Sequence, residues 1–277
     1  MTGAELVGRS VGPYRIERVL GEGAVGVVVA AARDGEQFAL KVLRPQQAGD
    51  AAVLARFRRE ASLARGIDPR HVVPILDVGE SSGVTYLAMP YYDGGSLADR
   101  LLDRGALGID ETLELAAGLG RGLDELHRRG IVHRDVKPSN VLLDSVDVPA
   151  LSDFGLARAA DSTRLTADGQ IVGTPHYLAP ELIEGEEATS ASDIYALGCV
   201  LYECLTGRPP FAGRSVAAVG FAHLAEQPPD PRELRAGVSA ELAEGLLLPL
   251  EKDPGSRPTS GTALARLLHA GRSASPV

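Results

Sequence analysis

The sequence predicts an α+β fold in two parts, a small antiparallel β-sheet followed by a larger, mostly helical part. Three observations predict it. Short stretches with strand character recur early, at 13–20, 27–33, 37–43, 72–78 and 85–89, and Asp34-Gly35 between the second and third reads as a hairpin turn. A break rich in proline and glycine follows at Pro90–Leu97 (PYYDGGSL). Beyond it, apolar residues recur at helical spacing, most clearly over 110–130. The boundaries expected are 1–92 for the first part, 93–270 for the second and 271–277 for an unstructured tail. A chain of 277 residues suits one large or two small packed units.

Residues 13–20 (PYRIERVL) alternate enough to be a strand, and 21–28 (GEGAVGVV) bring Gly21, Gly23 and Gly26 in close succession. Dinucleotide-binding turns carry similar glycines but open a helix. Here VVVAAAR at 27–33 continues as a strand, and QFALKVL at 37–43 makes a third. Strand, glycine turn, strand describes a flap whose backbone N–H groups can close over nucleotide phosphates. Lys41 lies in that third strand with apolar neighbours on both sides. The chain has three lysines against twenty-five arginines, so a lysine marks a place where a compact ammonium is required. A buried lysine is costly unless paired. Glu60, in a helix-forming stretch at 51–65, is the partner expected. Ser96 and Asp99 form a capping-box pattern opening a short helix. Over 110–130, Leu113, Ala116, Leu119, Leu123 and Leu126 mark a buried face, Asp110 can cap and Gly130 ends the helix.

The chemistry concentrates at Ile131–Asn140 (IVHRDVKPSN), where Asp135, Lys137 and Asn140 put a carboxylate, an ammonium and an amide within six residues. Pro138 forbids continuing helix, so they sit on a loop between rigid flanks. Thirteen residues after Asn140, Asp153 interrupts an apolar run (LSDFG), a place for a carboxylate that holds a cation. A polar segment with Ser162, Thr163 and Thr166 leads to GTPHYLAPE at 173–181. Residues 192–207 read as a buried helix in which Asp193 is out of place unless it anchors something. Cys199 and Cys204, five apart in that helix, suit buried inert thiols rather than a metal site or disulfide. Helices near 215–226, 240–251 and 259–270 complete a scaffold.

A formal net charge of −9 argues against a nucleic-acid binder. No apolar run approaches the ~18 residues that cross a bilayer. The first ten residues lack the pattern of a secretory signal.

Eight motifs in order, from the GxGxxGxV flap (Gly21 to Val28) and FALKV through HRDVKPSN and DFG to APE and DIYALG, resemble those of Hanks-type serine/threonine protein kinases over about 13–270. The RFRREA stretch and GTPHYLAPE look most like bacterial members, the catalytic domains of actinobacterial receptor-like kinases, and Lys137 is the serine/threonine rather than tyrosine pattern. The resemblance implies a bilobal fold and transfer of the ATP γ-phosphate to protein Ser or Thr hydroxyls. It implies Lys41, oriented by Glu60, on the α- and β-phosphates, Asn140 and Asp153 on Mg2+, Lys137 at the γ-phosphate and Asp135 as the group orienting the nucleophile. Adenine would meet Leu20, Val28, Ala39 and Leu142, with Met89 as gatekeeper and Pro90 and Tyr92 as the hinge. Proline is an unusual first hinge residue, yet it keeps the C=O that accepts from adenine. Thr174 would bond the catalytic loop, Asp193 would anchor it, and Glu181 would pair with Arg257; Tyr195 replaces the family's tryptophan after Asp193. Arg134, with little else to pair with, would receive a phosphate on Thr166, or on Thr163, after autophosphorylation. A pseudokinase scaffold and a small-molecule phosphotransferase are the alternatives. The resemblance further implies protein substrates, a homodimer through the first lobe, and a cytoplasmic domain that reaches a membrane only through segments absent from this chain.

Overall fold

A six-stranded antiparallel sheet organises the first of two compact units, Met1–Asp93 and Gly94–Val277. The computed structural model describes residues 3–23, 26–43, 66–81, 83–154 and 175–273. The helix expected at 51–65 with Glu60, and Thr163, Thr166 and Thr174, lie outside them.

The sheet runs β1 (Ser10–Val11), β2 (Tyr14–Glu22), β3 (Gly26–Arg33), β4 (Glu36–Leu43), β5 (Asp77–Ser81) and β6 (Val84–Pro90), in the order β1-β2-β3-β4-β6-β5. Asp34 and Gly35 both take positive φ, 52° and 85°, as the tight turn between β3 and β4 requires. Alternation sorts the side chains into two faces. Val27, Val29, Leu40 and Val42 are at most 2% exposed and form one core cluster with Val11, Tyr14, Ile16 and Tyr86. A short helix α1 (Gly3–Leu6) adds Leu6 to that cluster. The alternate residues share the other face. There Val28 pairs with Lys41 and Lys41 with Leu87, while Ala30 pairs with Ala39 and Ala39 with Met89.

Two local expectations change. The strand expected at 72–78 starts only at Asp77, because Pro74 has no N–H for a ladder; Val72 and Val73 are buried as irregular chain instead, at 1% and 2% exposed. The N-terminal α1 and β1 were not expected at all, since a four-residue helix and a two-residue strand are too short to show a period.

In the second unit, α2 (Leu97–Arg104) opens with the expected capping box of Ser96 and Asp99. The long α3 (Ile109–Arg128) is capped by Gly108 rather than Asp110, whose carboxylate pairs with Arg272. A two-stranded sheet, β7 (Val141–Leu143) with β8 (Pro149–Leu151), follows. Next come α4 (Pro180–Ile183), the buried α5 (Ser190–Thr206), α6 (Val216–Ala225), α7 (Pro231–Leu234), α8 (Ala240–Leu247) and α9 (Gly261–Ser273). The helix expected to 251 gives way after Leu247 to a 3-10 turn at Leu248–Leu250, where Pro249 interrupts the ladder. Conversely, α9 runs three residues past 270, with Gly271 against the backbone of Glu241 and Leu242 and Arg272 held by Asp110. Cys199 and Cys204 are fully buried in α5, and burial pushes both thiols well above the usual cysteine range. No described helix is long and apolar enough to cross a membrane.

Candidate active site

The loop after α3 is held from α5. Asp193, 1% exposed, accepts the Arg134 N–H on Oδ1 and the His133 N–H on Oδ2, both at 2.8 Å. His127, in the last turn of α3, places Nε2 2.7 Å from the same Oδ2. Three partners therefore satisfy a carboxylate that would otherwise be a costly buried charge. They also hold Arg134 at φ 72°, a left-handed conformation that a non-glycine residue adopts at a cost of about 1–3 kcal/mol. Charge-assisted hydrogen bonds of about 1.5–3 kcal/mol each are enough to offset it.

On that base the polar groups converge. The Asn140 Nδ2 donates to the Asp135 backbone oxygen at 2.8 Å and to its Oδ2 at 2.9 Å, and the Lys137 Nζ lies 2.7 Å from the same Oδ2. The side chains of Asp135 and Lys137 are 38% and 35% exposed, open enough for a substrate to reach them. Pro138–Asn140 form a 3-10 turn that folds the asparagine back onto the aspartate. The Asn140 carbonyl in turn accepts from the N–H and Oγ of Ser152, at 2.9 and 3.1 Å. Asn140 and Asp153 are thus tied through one intervening residue. Asp153 has φ 61°, a second strained backbone, and Phe154 beside it is 1% exposed with its ring edge-on to His133.

The donor set suits a hard divalent cation that arrives with phosphates. Pinning Nδ2 turns the Asn140 Oδ1 away from Asp135, and the half-buried Asp153 adds a carboxylate. No cluster of three or more His, Cys, Asp or Glu able to hold a metal occurs among the described residues. Mg2+ asks for no such cage, since it takes one or two protein oxygens and completes its shell with phosphate and water.

In the first unit, Val28, Ala39, Lys41 and Met89 share the sheet face opposite the core, in two adjacent cross-strand rows. Lys41 is half-buried and has a partner. Leu20, Gly21 and Gly23 lie exposed at the end of β2, where the Gly23 N–H donates to the Gly26 carbonyl at 2.9 Å and closes the turn. Pro90 ends β6 opposite Phe38, and Tyr92 follows two residues later, half-buried and engaged in an interaction. Leu142 sits half-buried in β7, bridged to Ser96.

Glu181 and Arg257 meet away from these groups as a buried bidentate pair, both contacts 2.8 Å, with Ser192 Oγ donating to the same carboxylate at 2.7 Å. Burial alone would raise the Glu181 pKa, but the bonds from Arg257 and Ser192 outweigh it and hold the carboxyl below the usual glutamate range. One expectation needs correction. Arg134 has a partner in this structure, so an unpaired cation no longer argues for a phosphate on Thr166 or Thr163.

Sequence reasoning misses three participants. His127 carries no local signal, since a histidine near a helix end looks like any C-terminal cation. Tyr177 and Glu203 were also passed over. The Tyr177 hydroxyl donates to Glu203 Oε2 at 2.6 Å, and both line a groove of about 490 Å³ with Leu101, Leu102, Lys137 and Ser139. Burial raises the Glu203 pKa. Only the tertiary structure brings that glutamate of α5 to the groove that Lys137 also lines.

A model of the protein kinase domain matches residues 14–268. The serine/threonine-protein kinase PknD of Mycobacterium tuberculosis is 41% identical over 95% of this chain and 40% of its own length. The serine/threonine-protein kinase PknA of Corynebacterium glutamicum is 38% identical over 97% and 57%. The chain therefore spans between 40% and 57% of the length of these curated relatives. The crystal structure of the Mycobacterium tuberculosis PknI kinase domain superposes with a TM-score of 0.73 at 30% identity, covering 98% of this chain and 99% of that one. With the ordered motifs, the two-unit fold and these relatives in agreement, the chain belongs to the protein kinase domain family.

Proposed function

We propose that this chain is the catalytic domain of a serine/threonine protein kinase that transfers the ATP γ-phosphate to protein hydroxyls. The observation that carries the reading is the Asp135–Lys137–Asn140 cluster, mutually bonded and fastened to the buried Asp193. The family uses ATP and a divalent metal, and little covalent chemistry falls to the protein beyond positioning and charge stabilisation. Asp135 orients the attacking hydroxyl and accepts its proton. Lys137, already beside that carboxylate, offsets charge on the transferring phosphoryl group. Asn140 and Asp153 would hold Mg2+, which supplies neutralisation of phosphate charge when bound. Lys41, with Glu60, steadies the α- and β-phosphates under the flap of Gly21, Gly23 and Gly26. Leu20, Val28, Ala39, Met89 and Leu142 contact adenine, and Pro90 and Tyr92 supply the hinge C=O and N–H. The groove lined by Lys137 supports a polypeptide acceptor, and Thr174 is the residue that the family pattern assigns to bond the loop.

Autophosphorylation of Thr166 and Thr163 belongs to the same reading and rests on their position between Asp153 and Glu181. We also propose a cytoplasmic location and a homodimer through the first unit; the exposed Leu76 and Val78 at its β5 edge support the latter. Incubation with Mg-ATP and a protein acceptor, followed by phosphosite mapping, tests the proposal. Phosphoserine or phosphothreonine should form with the native chain and not with Asp153→Asn. Equal incorporation by both, or none by either, would overturn it.

A further inference from the structure

The segment before β2 is laced to the back of the glycine-rich hairpin. The Gly3 N–H donates to Glu22 Oε1 at 3.1 Å, and Glu22 lies between Gly21 and Gly23. A Cβ at Gly3 would stand 2.7 Å from that oxygen, 2.8 Å from Val19 Cγ2 and 3.0 Å from Val27 Cγ1, so α1 approaches both strands of the hairpin as closely as only glycine allows. Leu6 is 3% exposed in the core with Val27 and Val29. Backbone bonds from Gly8 N–H to the Ile16 carbonyl (3.0 Å) and from Ile16 N–H to the Arg9 carbonyl (2.8 Å) fasten the rest to β2. Glu22 pairs with Val27 and Gly21 with Val28, so the tether grips the face opposite Val28 and Lys41 and leaves their side clear.

We propose that residues 3–11 are a positioning element for the flap, holding the hairpin at the height that a nucleoside triphosphate needs. The inference rests on the reading that this flap and Lys41 bind nucleotide phosphates. An untethered hairpin must be ordered when nucleotide binds, and that ordering is lost affinity.

The test measures Kd for a fluorescent ATP analogue, KM for ATP, kcat and melting temperature in native chain, Gly3→Val, Glu22→Ala and the double variant, with Lys41→Met as reference. Loss of analogue binding in Lys41→Met secures the underlying reading; unchanged binding there sinks that reading and this inference together. Loss of one hydrogen bond and its packing should raise Kd and KM for ATP about three- to tenfold in either single variant. Kcat at saturating ATP and KM for the protein acceptor should stay within about twofold. The double variant should match the worse single one, because both break one tether. Glu22 is exposed, so Glu22→Ala folds even where Gly3→Val does not. Native nucleotide affinity in Glu22→Ala, or additive effects in the double variant, would overturn the proposal.

Discussion

The catalytic loop and the glycine-rich hairpin are held in opposite ways. Around the loop, His133, Val136, Pro138 and Asn140 are buried, and one carboxylate under 2% exposed organises two backbone N–H groups and a histidine. Along the hairpin, Leu20, Gly21, Glu22 and Gly23 are exposed, and the described restraints are ladder bonds and a tether from α1. Arg134 and Asp153, both half-buried, take left-handed φ values that the bonds around them must offset. The contrast teaches that the loop of Asp135 is fixed by buried charge, whereas the glycine-rich hairpin is fixed by bonds at the surface that can give way.

The largest effect expected comes from the buried pair of Glu181 and Arg257, in the same unit as the loop. Glu181→Gln leaves the Arg257 guanidinium, 0% exposed, without its anion and should cost about 3–5 kcal/mol, read as a lower denaturation midpoint. The native carboxyl is held below the ordinary glutamate pKa, so its contribution is full above that range and is lost as pH falls through the lowered value. The gap between native and variant stability should accordingly be wide at neutral pH and close in acid; a gap that widened in acid would break the account. Next, Asp193→Asn should cut kcat on the order of a hundredfold, because the amide offers one acceptor where Arg134 and His133 need two and the loop shifts. Nucleotide affinity should hardly move, and a variant as active as the native chain would erase the contrast. The smallest effect belongs to the hairpin. A Cβ at Gly21 meets nothing within 4 Å, so Gly21→Val should leave melting unchanged while KM for ATP rises about threefold. A large stability loss there would mean that the hairpin is no looser than the loop.

Much of this was legible in a single sequence because kinase chemistry is written in short, ordered clusters. Asp135, Lys137 and Asn140 lie within one loop, and Asp153 follows one hairpin later. Strand pairing and register put Val28, Ala39, Lys41 and Met89 on one face, but alternation within each strand depends on neighbours alone. The capping box at Ser96 was readable for the same reason. His127, Tyr177 and Glu203 were not, because each becomes meaningful only opposite a residue 26 or more positions away. Nor was α1, whose four residues take their structure from the sheet beneath them.

The sequence by itself determined the family, the α+β class and the close spacing of Asp135, Lys137 and Asn140, all of which depend on local pattern and residue chemistry. Tertiary structure alone decided that His127 would complete the Asp193 anchor and that Arg134 would be strained yet partnered. It also decided that Gly3 would reach the flap. A buried carboxylate chooses its partners by what packing brings within hydrogen-bond reach, and no local pattern records that choice.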